Sequence, residues 1–257
     1  MLRLPRSRLL LKLKYTIPNN KLIARPIASI LLCNSRDIIS NPKTKYFPTT
    51  RNMSSFSNAD TGSKPADPYK SANKDEPGVE QKFSALQKFI DARKFGMMTT
   101  RDANSGKLVS RCMAVAAKEA NGTELLFFTN TEANKTDEIK EDPQTNLSFI
   151  DGSGQWASIS GASSIETDRS VVKRHYSPEL KAWVGDLGDG KHDGSENDPR
   201  IGVIRVKIDT ATYAITDKTF IGYAVEVAKG AVTGEAASVN KLREISSTEV
   251  QQWRSKA

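Results

Sequence analysis

The sequence predicts an α+β fold, mainly β, in which an antiparallel sheet closes into a small β-barrel decorated by helices. Short runs rich in β-branched and aromatic residues recur along the chain, and tight-turn signals such as Asn121-Gly122 separate the first of them. Helical spacing of apolar residues occurs only in short stretches beside these runs. The pattern is that of an antiparallel meander and not of regularly alternating strands and helices.

The first ordered element is predicted to be an amphipathic helix that starts near Glu80. Its apolar residues Phe83, Leu86, Phe89 and Ile90 recur at three- and four-residue spacing, which places them on one helix face. Strands are predicted next, at residues 95–100, 107–117, 124–130, 146–150, 156–165, 201–208 and 212–216. Helices are predicted between and after them, at residues 131–142, 168–176, 178–183 and 221–230.

The chain changes composition before this helix. Residues 1–52 carry 11 Lys and Arg side chains against a single acidic one, Asp37, spaced among Leu, Ile and Ser. This composition is typical of a mitochondrial presequence, and the alternative is a basic tail that binds nothing. Met53 offers a second start, from which a cytoplasmic form would be made.

Three further segments are predicted after the leader. Residues 53–79 are rich in Ser, Lys, Asp, Pro and Gly, and we expect a disordered linker or an alternative N-terminus there. The folded domain is expected at residues 80–245, and a C-terminal tail at residues 246–257.

Composition argues against several classes of protein. The whole chain has a net charge of +8, but the residues beyond Asn52 carry 27 basic and 29 acidic side chains, so no nucleic-acid partner is indicated. No apolar run approaches the ~18 residues of a membrane helix, so no membrane partner is expected. Cys112 is the only cysteine beyond the leader, which excludes a disulfide framework. Two histidines, His175 and His192, are too few for a multi-histidine metal site.

Three segments carry residues that would suit a phosphate group. Arg111 lies in the predicted strand "VSRCMAV", and a guanidinium among apolar neighbours can bind a phosphate bidentately. The strand "LLFFTN" runs into a predicted helix start with Thr129, Asn134 and Lys135, where backbone N–H groups and the helix dipole favour an anion. A third strand, in "QWASISG", opens with Trp156 and closes at Gly161. Each segment alone is equally compatible with an ordinary solvated surface.

The order and spacing of these segments resemble the FMN-binding split-barrel superfamily, typified by pyridoxamine 5′-phosphate oxidase. The similarity is closer to its general-stress-protein branch, which includes the fungal blue-light-inducible proteins, and it extends over residues 61–245. It is carried by the segments "TGSKPADPYK", "FGMMTT", "LVSRCMAV", "LLFFTNTEANKTDEIKEDPQTNLSF", "WASISGASSIETDR" and "LKAWVGDLGDG". The resemblance implies a split β-barrel, bound FMN and a homodimer with the flavin between the subunits.

The resemblance also implies two groups of cofactor-binding residues. Those expected to hold the FMN phosphate, by charge or by hydrogen bonds, are Arg111, Thr129, Asn134 and Lys135. Those expected to line or face the isoalloxazine, through the backbone or a ring, are Cys112, Met113, Phe128 and Trp156. No catalytic residue and no metal ligand is assigned.

The substrate side departs from the oxidases. Ala116 stands where the oxidases have a Lys that binds the substrate phosphate, and the oxidase C-terminal signature is absent, which argues against pyridoxamine phosphate as the substrate. The resemblance implies a flavin-dependent oxidoreductase with a small-molecule redox partner and a role in the stress response. One alternative is a flavin sensor, carrier or store without turnover. The other, less favoured, is a haem protein ligated by His175 or His192.

Overall fold

A computed structural model describes residues 67–256 of the chain. The predicted presequence at residues 1–52 and the second start at Met53 lie outside this range and stay predictions. Within it, no helix is both long enough and apolar enough to span a lipid bilayer.

Eight strands form one antiparallel sheet, and their side chains alternate between its two faces. The strands are β1 (Phe95–Arg101), β2 (Leu108–Ala114), β3 (Ala117–Glu119), β4 (Glu124–Asn130), β5 (Gln144–Ile150), β6 (Trp156–Glu166), β7 (Ile201–Ile215) and β8 (Lys241–Ile245). Their spatial order is β2-β1-β5-β6-β7-β4-β3, and β8 pairs with β7 as well. The predicted class, antiparallel and mainly β with helices, is confirmed.

A β-bulge in the longest strand pair makes the sheet curl. The register of β6 against β7 shifts between Ser160 and Gly161. A Cβ atom at Gly161 would lie 2.0 Å from the carbonyl oxygen of Lys207, so only glycine fits there. Because β7 continues to pair with β6 on both sides of the bulge, β7 is one strand, whereas the sequence predicted two. The curled sheet is a half-barrel in which β2 comes back close to β4.

Within residues 67–256, seven helices and two short 3₁₀ segments decorate this sheet. The helices are α1 (Pro68–Asn73), α2 (Val79–Arg93), α3 (Asn134–Glu141), α4 (Arg169–His175), α5 (Lys181–Val184), α6 (Phe220–Thr233) and α7 (Ser247–Arg254), and the 3₁₀ segments are Ala120–Gly122 and Pro178–Leu180. Helix α2 buries Phe83, Leu86, Phe89 and Ile90 in the main core, as its spacing predicted. A second, smaller core lies under α4, on the other face of β4.

Helices α1 and α7 lie where the sequence was expected to form a linker and a tail. Asn73 at the end of α1 accepts hydrogen bonds from the N–H groups of Val239 and Asn240, which attaches α1 to the segment before β8. In α7, Trp253 stacks on Phe83 with ring centroids 5.3 Å apart. Composition missed both helices because each is attached by a few long-range contacts and not by an apolar run.

Candidate functional site

Arg111 on β2 lies at the centre of a polar cluster on the core face of the sheet. Its Nη2 atom is 2.5 Å from Oε2 of Glu138, and its Nη1 atom donates to the hydroxyl of Thr100 at 2.7 Å. The Thr100 hydroxyl in turn donates to the same Glu138 oxygen at 2.5 Å. Glu138 belongs to α3 and is buried, so the cluster joins α3 to the β1–β2 edge. Two of the five N–H donors of Arg111 are used in this way.

Lys135, in the first turn of α3, is the second cation of this cluster. Its side chain is half-buried, and within the described residues no carboxylate forms an ion pair with it. Burial and the nearby Arg111 guanidinium lower the pKa of Lys135, and the Glu138 carboxylate only partly opposes them. The protein therefore holds an ammonium group against another cation, which a bound anion would relieve.

The helix start adds backbone donors to the two cations. Asn134 is the first residue of α3, and no side chain caps this helix. Its first N–H groups have no partner inside the helix and carry the positive end of its dipole. Thr129, at the end of β4, is buried and donates its hydroxyl to the carbonyl oxygen of Asn130 at 3.1 Å. One guanidinium, one ammonium and one carboxylate leave this site with a net charge of +1.

The turn between β4 and α3 is supported by a neighbouring loop. The carbonyl oxygen of Arg200 accepts hydrogen bonds from the N–H group and the hydroxyl of Thr131, at 2.8 and 3.1 Å. The Arg200 side chain is buried, with Nη2 2.6 Å from Asp198 and 2.8 Å from the carbonyl oxygen of Gly185. Asp198 is fully buried, and the Arg200 guanidinium lowers its pKa to about 2. This buried ion pair anchors the acidic, Gly-rich segment at residues 185–199.

The other predicted cofactor residues are divided between the two faces of the sheet. Met113 points to the core side, as Arg111 does, and is partly buried there. Cys112 alternates to the outer face and is exposed, and Trp156 lies on that outer face half-buried. The ring of Phe128 packs in the second core, on the face of β4 opposite to Thr129. The structure brings Arg111 and Lys135 together, with Asn134 next to Lys135 at the start of α3. It does not bring Phe128 or Trp156 to them.

Sequence reasoning missed Glu138 and Thr100. Glu138 follows Lys135 by three residues, so their shared helix side could have been noticed. The contact of Glu138 with Arg111 could not have been predicted from the sequence, because it depends on how α3 packs beneath the sheet.

Comparisons with known proteins identify relatives over most of the described chain. Residues 81–238 match the family described as "Pyridoxamine 5′-phosphate oxidase like". The chain is 59% identical to the protein bli-3 of Neurospora crassa over 202 residues, which cover 78% of this chain and 97% of that protein.

Solved structures that resemble this chain are more distant in sequence. A Clostridium acetobutylicum protein related to general stress protein 26 is 15% identical, with a TM-score of 0.47, and the match covers 66% of this chain and 98% of that one. The general stress FMN/FAD binding protein of Xanthomonas citri is 22% identical, with a TM-score of 0.42. The match covers 51% of this chain and 87% of that one. A pyridoxamine 5′-phosphate oxidase-related, FMN binding protein of Nostoc punctiforme is 10% identical, with a TM-score of 0.43. The match covers 51% of this chain and 82% of that one.

Proposed function

This chain belongs to the pyridoxamine 5′-phosphate oxidase-like family, and on that premise we propose that it binds FMN, with the phosphate held by Arg111 and Lys135. Family membership confirms the resemblance found in the sequence. The finer proposal is that the bound flavin serves an oxidoreductase with a role in the stress response.

The single observation that supports a phosphate ligand is the half-buried Lys135 beside Arg111. Two cations at an uncapped helix start are unfavourable on their own, as the lowered pKa of Lys135 reflects. A phosphate dianion would pair with the ammonium and with the guanidinium donors that Glu138 and Thr100 leave unused. The residues present therefore fit the phosphate end of FMN.

FMN, when bound, supplies hydride and electron transfer at its ring. The chain's own residues then bind and orient it: Arg111 and Lys135 neutralise the phosphate, and Glu138 with Thr100 fixes the direction of the Arg111 side chain. The alternative, a flavin carrier or store, would bind FMN through the same residues. Steady oxidation of a pyridine nucleotide by the purified protein would exclude the carrier.

The test of FMN binding is a visible spectrum of the purified full-length chain. We expect flavin absorbance near 450 nm, and FMN in the filtrate after heat denaturation, because the socket holds the cofactor without a covalent bond. The haem alternative predicts a Soret band instead. A colourless protein that also fails to take up added FMN would contradict the proposal.

A homodimer is a further part of the proposal, and exposed apolar surface supports it. Four of the exposed large hydrophobic side chains lie on the outer face of β1, β2 and β5, namely Phe95, Met97, Leu108 and Ile150. Five more lie on α6, namely Ile221, Tyr223, Val225, Val227 and Val232. The half-buried residues of α6 are instead Gly222, Glu226 and Gly230. Gly222 and Glu226 face the segment just before the helix, and Gly230 faces the segment just after it.

We propose that a second copy of this chain covers both surfaces. An isolated helix of this length is marginal in water without tertiary packing of its apolar side. Each large apolar side chain contributes roughly 60–120 Å². The nine together are therefore of the order that a stable dimer interface needs, about 800 Å² on each partner.

Charged substitutions on either surface are expected to convert a dimer into monomers. The variants are Leu108→Glu with Ile150→Glu on the sheet, and Ile221→Glu with Val225→Glu on α6, because each buries two unpaired carboxylates in the interface. The measurement is molar mass by light scattering at micromolar concentration. Leu187→Glu, an exposed apolar position elsewhere, is the matched control and should leave the mass unchanged. A monomeric wild-type chain under these conditions would refute the dimer.

A further inference from the structure

The tight turn between β3 and β4 contains the one Asn-Gly step of the sequence, Asn121-Gly122. In such a step the backbone nitrogen of the glycine can attack Cγ of the asparagine, because glycine has no side chain to shield that nitrogen. The bond between N of Gly122 and Cγ of Asn121 forms, the bond from Cγ to the amide nitrogen breaks, and the N–H proton leaves with the amide as ammonia. Water then opens the cyclic imide at either carbonyl, which gives aspartate or isoaspartate.

The folded turn holds Asn121 in a conformation from which this ring cannot close. Its φ is 55° and its ψ is 31°, and Gly122 follows with a φ of 76°. In this left-handed backbone the Cβ atom lies close to the carbonyl oxygen of its own residue, so the next backbone nitrogen lies on the far side of the Cα–C bond. The peptide group between Asn121 and Gly122 must therefore rotate by about half a turn before its nitrogen can reach Cγ.

Two side chains oppose that rotation by holding the carbonyl oxygen of Asn121. The oxygen accepts a hydrogen bond from Nε2 of Gln87 on α2 at 2.6 Å and another from Nε1 of Trp253 on α7 at 3.0 Å. Rotation of the peptide group carries the oxygen away from both donors. Both hydrogen bonds must therefore break before the reaction can start.

Helix α7 holds the same turn at a second place. Nε of Arg254 donates to the hydroxyl of Thr123 at 3.1 Å, and its Nη2 donates to the carbonyl oxygen of Ile208 at 2.9 Å. The side chain of Asn121 is exposed and forms no hydrogen bond within residues 67–256. The backbone, and not the reacting amide, is therefore the part that the fold restrains.

We propose that Asn121 is a site of spontaneous deamidation and that α7 controls its rate, because the reaction needs molecules in which α7 has left the turn. Short helices near a chain end open at a lower free-energy cost than the whole domain, so this state is accessible without global unfolding. The isoaspartyl product has one more methylene group in the main chain. It cannot restore the carbonyl position that Gln87 and Trp253 bind, so α7 is held less firmly afterwards. The proposal uses neither Arg111 nor Lys135 and is independent of the proposed FMN site.

The test is the rate of deamidation of the full-length chain at neutral pH. Mass spectrometry of the proteolytic peptide that contains Asn121 detects the gain of one mass unit, and chromatography separates the isoaspartyl from the aspartyl form. We expect the folded wild type to react at least tenfold more slowly than the chain unfolded in urea. Trp253→Phe keeps an aromatic ring on Phe83 but loses the N–H donor, so it should react about fivefold faster than the wild type. Gln87→Met should have a similar effect.

Two control variants should react at the wild-type rate. Trp183→Phe removes the same N–H group from an exposed indole on α5. Val172→Ala opens a cavity in the second core and lowers the stability of the whole domain without a change at the turn. An acceleration in Val172→Ala as large as that in Trp253→Phe would overturn the proposal, because global unfolding would then control the rate.

Three other results would also overturn it. One is an equal rate in the folded and the urea-unfolded wild type. Another is a wild-type rate in both Trp253→Phe and Gln87→Met. The third is a product without isoaspartate, since direct hydrolysis of the side chain gives aspartate alone.

Discussion

Arg111→Ala is expected to weaken FMN binding by about 2–4 kcal/mol, because it removes the charge-assisted hydrogen bonds to the phosphate. The measurement is FMN affinity by fluorescence quenching of the flavin in the purified variant. The same substitution leaves the buried Glu138 carboxylate without its guanidinium, so we also expect a loss of folding stability.

A second variant separates the two effects. Arg111→Ala combined with Glu138→Gln removes the stranded charge, so its stability should recover while its FMN affinity stays low. Arg174→Ala is the matched control, since Arg174 is an exposed arginine on α4 that pairs with Glu119. Wild-type affinity in Arg111→Ala, or an equal loss in Arg174→Ala, would refute the assignment of the phosphate site.

Arg200→Ala is expected to lower the midpoint of thermal unfolding by about 10 °C, the largest effect on stability that we predict outside the core. The substitution leaves the fully buried Asp198 without its cation and removes the bonds to the carbonyl oxygens of Gly185 and His192. The support of the turn before α3 is weakened with it, so FMN affinity should fall even though Arg200 does not line the site.

The loss of folding stability in Arg200→Ala should depend on pH. In the wild type the folded pKa of Asp198, about 2, lies below its ordinary value of 3.8, so its stabilisation is present above pH 3.8 and is lost as the pH falls towards 2. In Arg200→Ala, burial without the cation should raise that pKa above 3.8. The variant then gains stability relative to the wild type as the pH falls. The difference in the free energy of unfolding between the two should therefore become smaller from pH 7 to pH 4.

Urea unfolding at these two pH values is the measurement. Arg200→Ala combined with Asp198→Asn is the control, because a neutral amide has no charge to strand, and its gap should be smaller and independent of pH. A gap that widens at pH 4 would show that the ion pair is not the cause.

The local pattern of the chain was sufficient to predict most elements. The three- and four-residue spacing of Phe83, Leu86, Phe89 and Ile90 predicted α2 and its buried face, and Asn121-Gly122 predicted the turn before β4. Helix α6 was also predicted, at residues 221–230, but the sequence did not show that its apolar side chains face outwards. The capping box of Ser246 and Glu249 at the start of α7 is a sequence signal that could have predicted that helix.

The sequence by itself determined the family, the antiparallel β class and the two cations expected to bind a phosphate. These depend on residue type, spacing and periodicity, which are local properties of the chain. Only the tertiary structure decided that Arg111 shares its guanidinium with Glu138, that Phe128 and Trp156 lie away from the cation pair, and that Asp198 and Arg200 anchor their loop. The physical reason is that the face of the sheet on which a side chain lies, and the partner it meets there, depend on register, curl and packing between segments far apart in sequence.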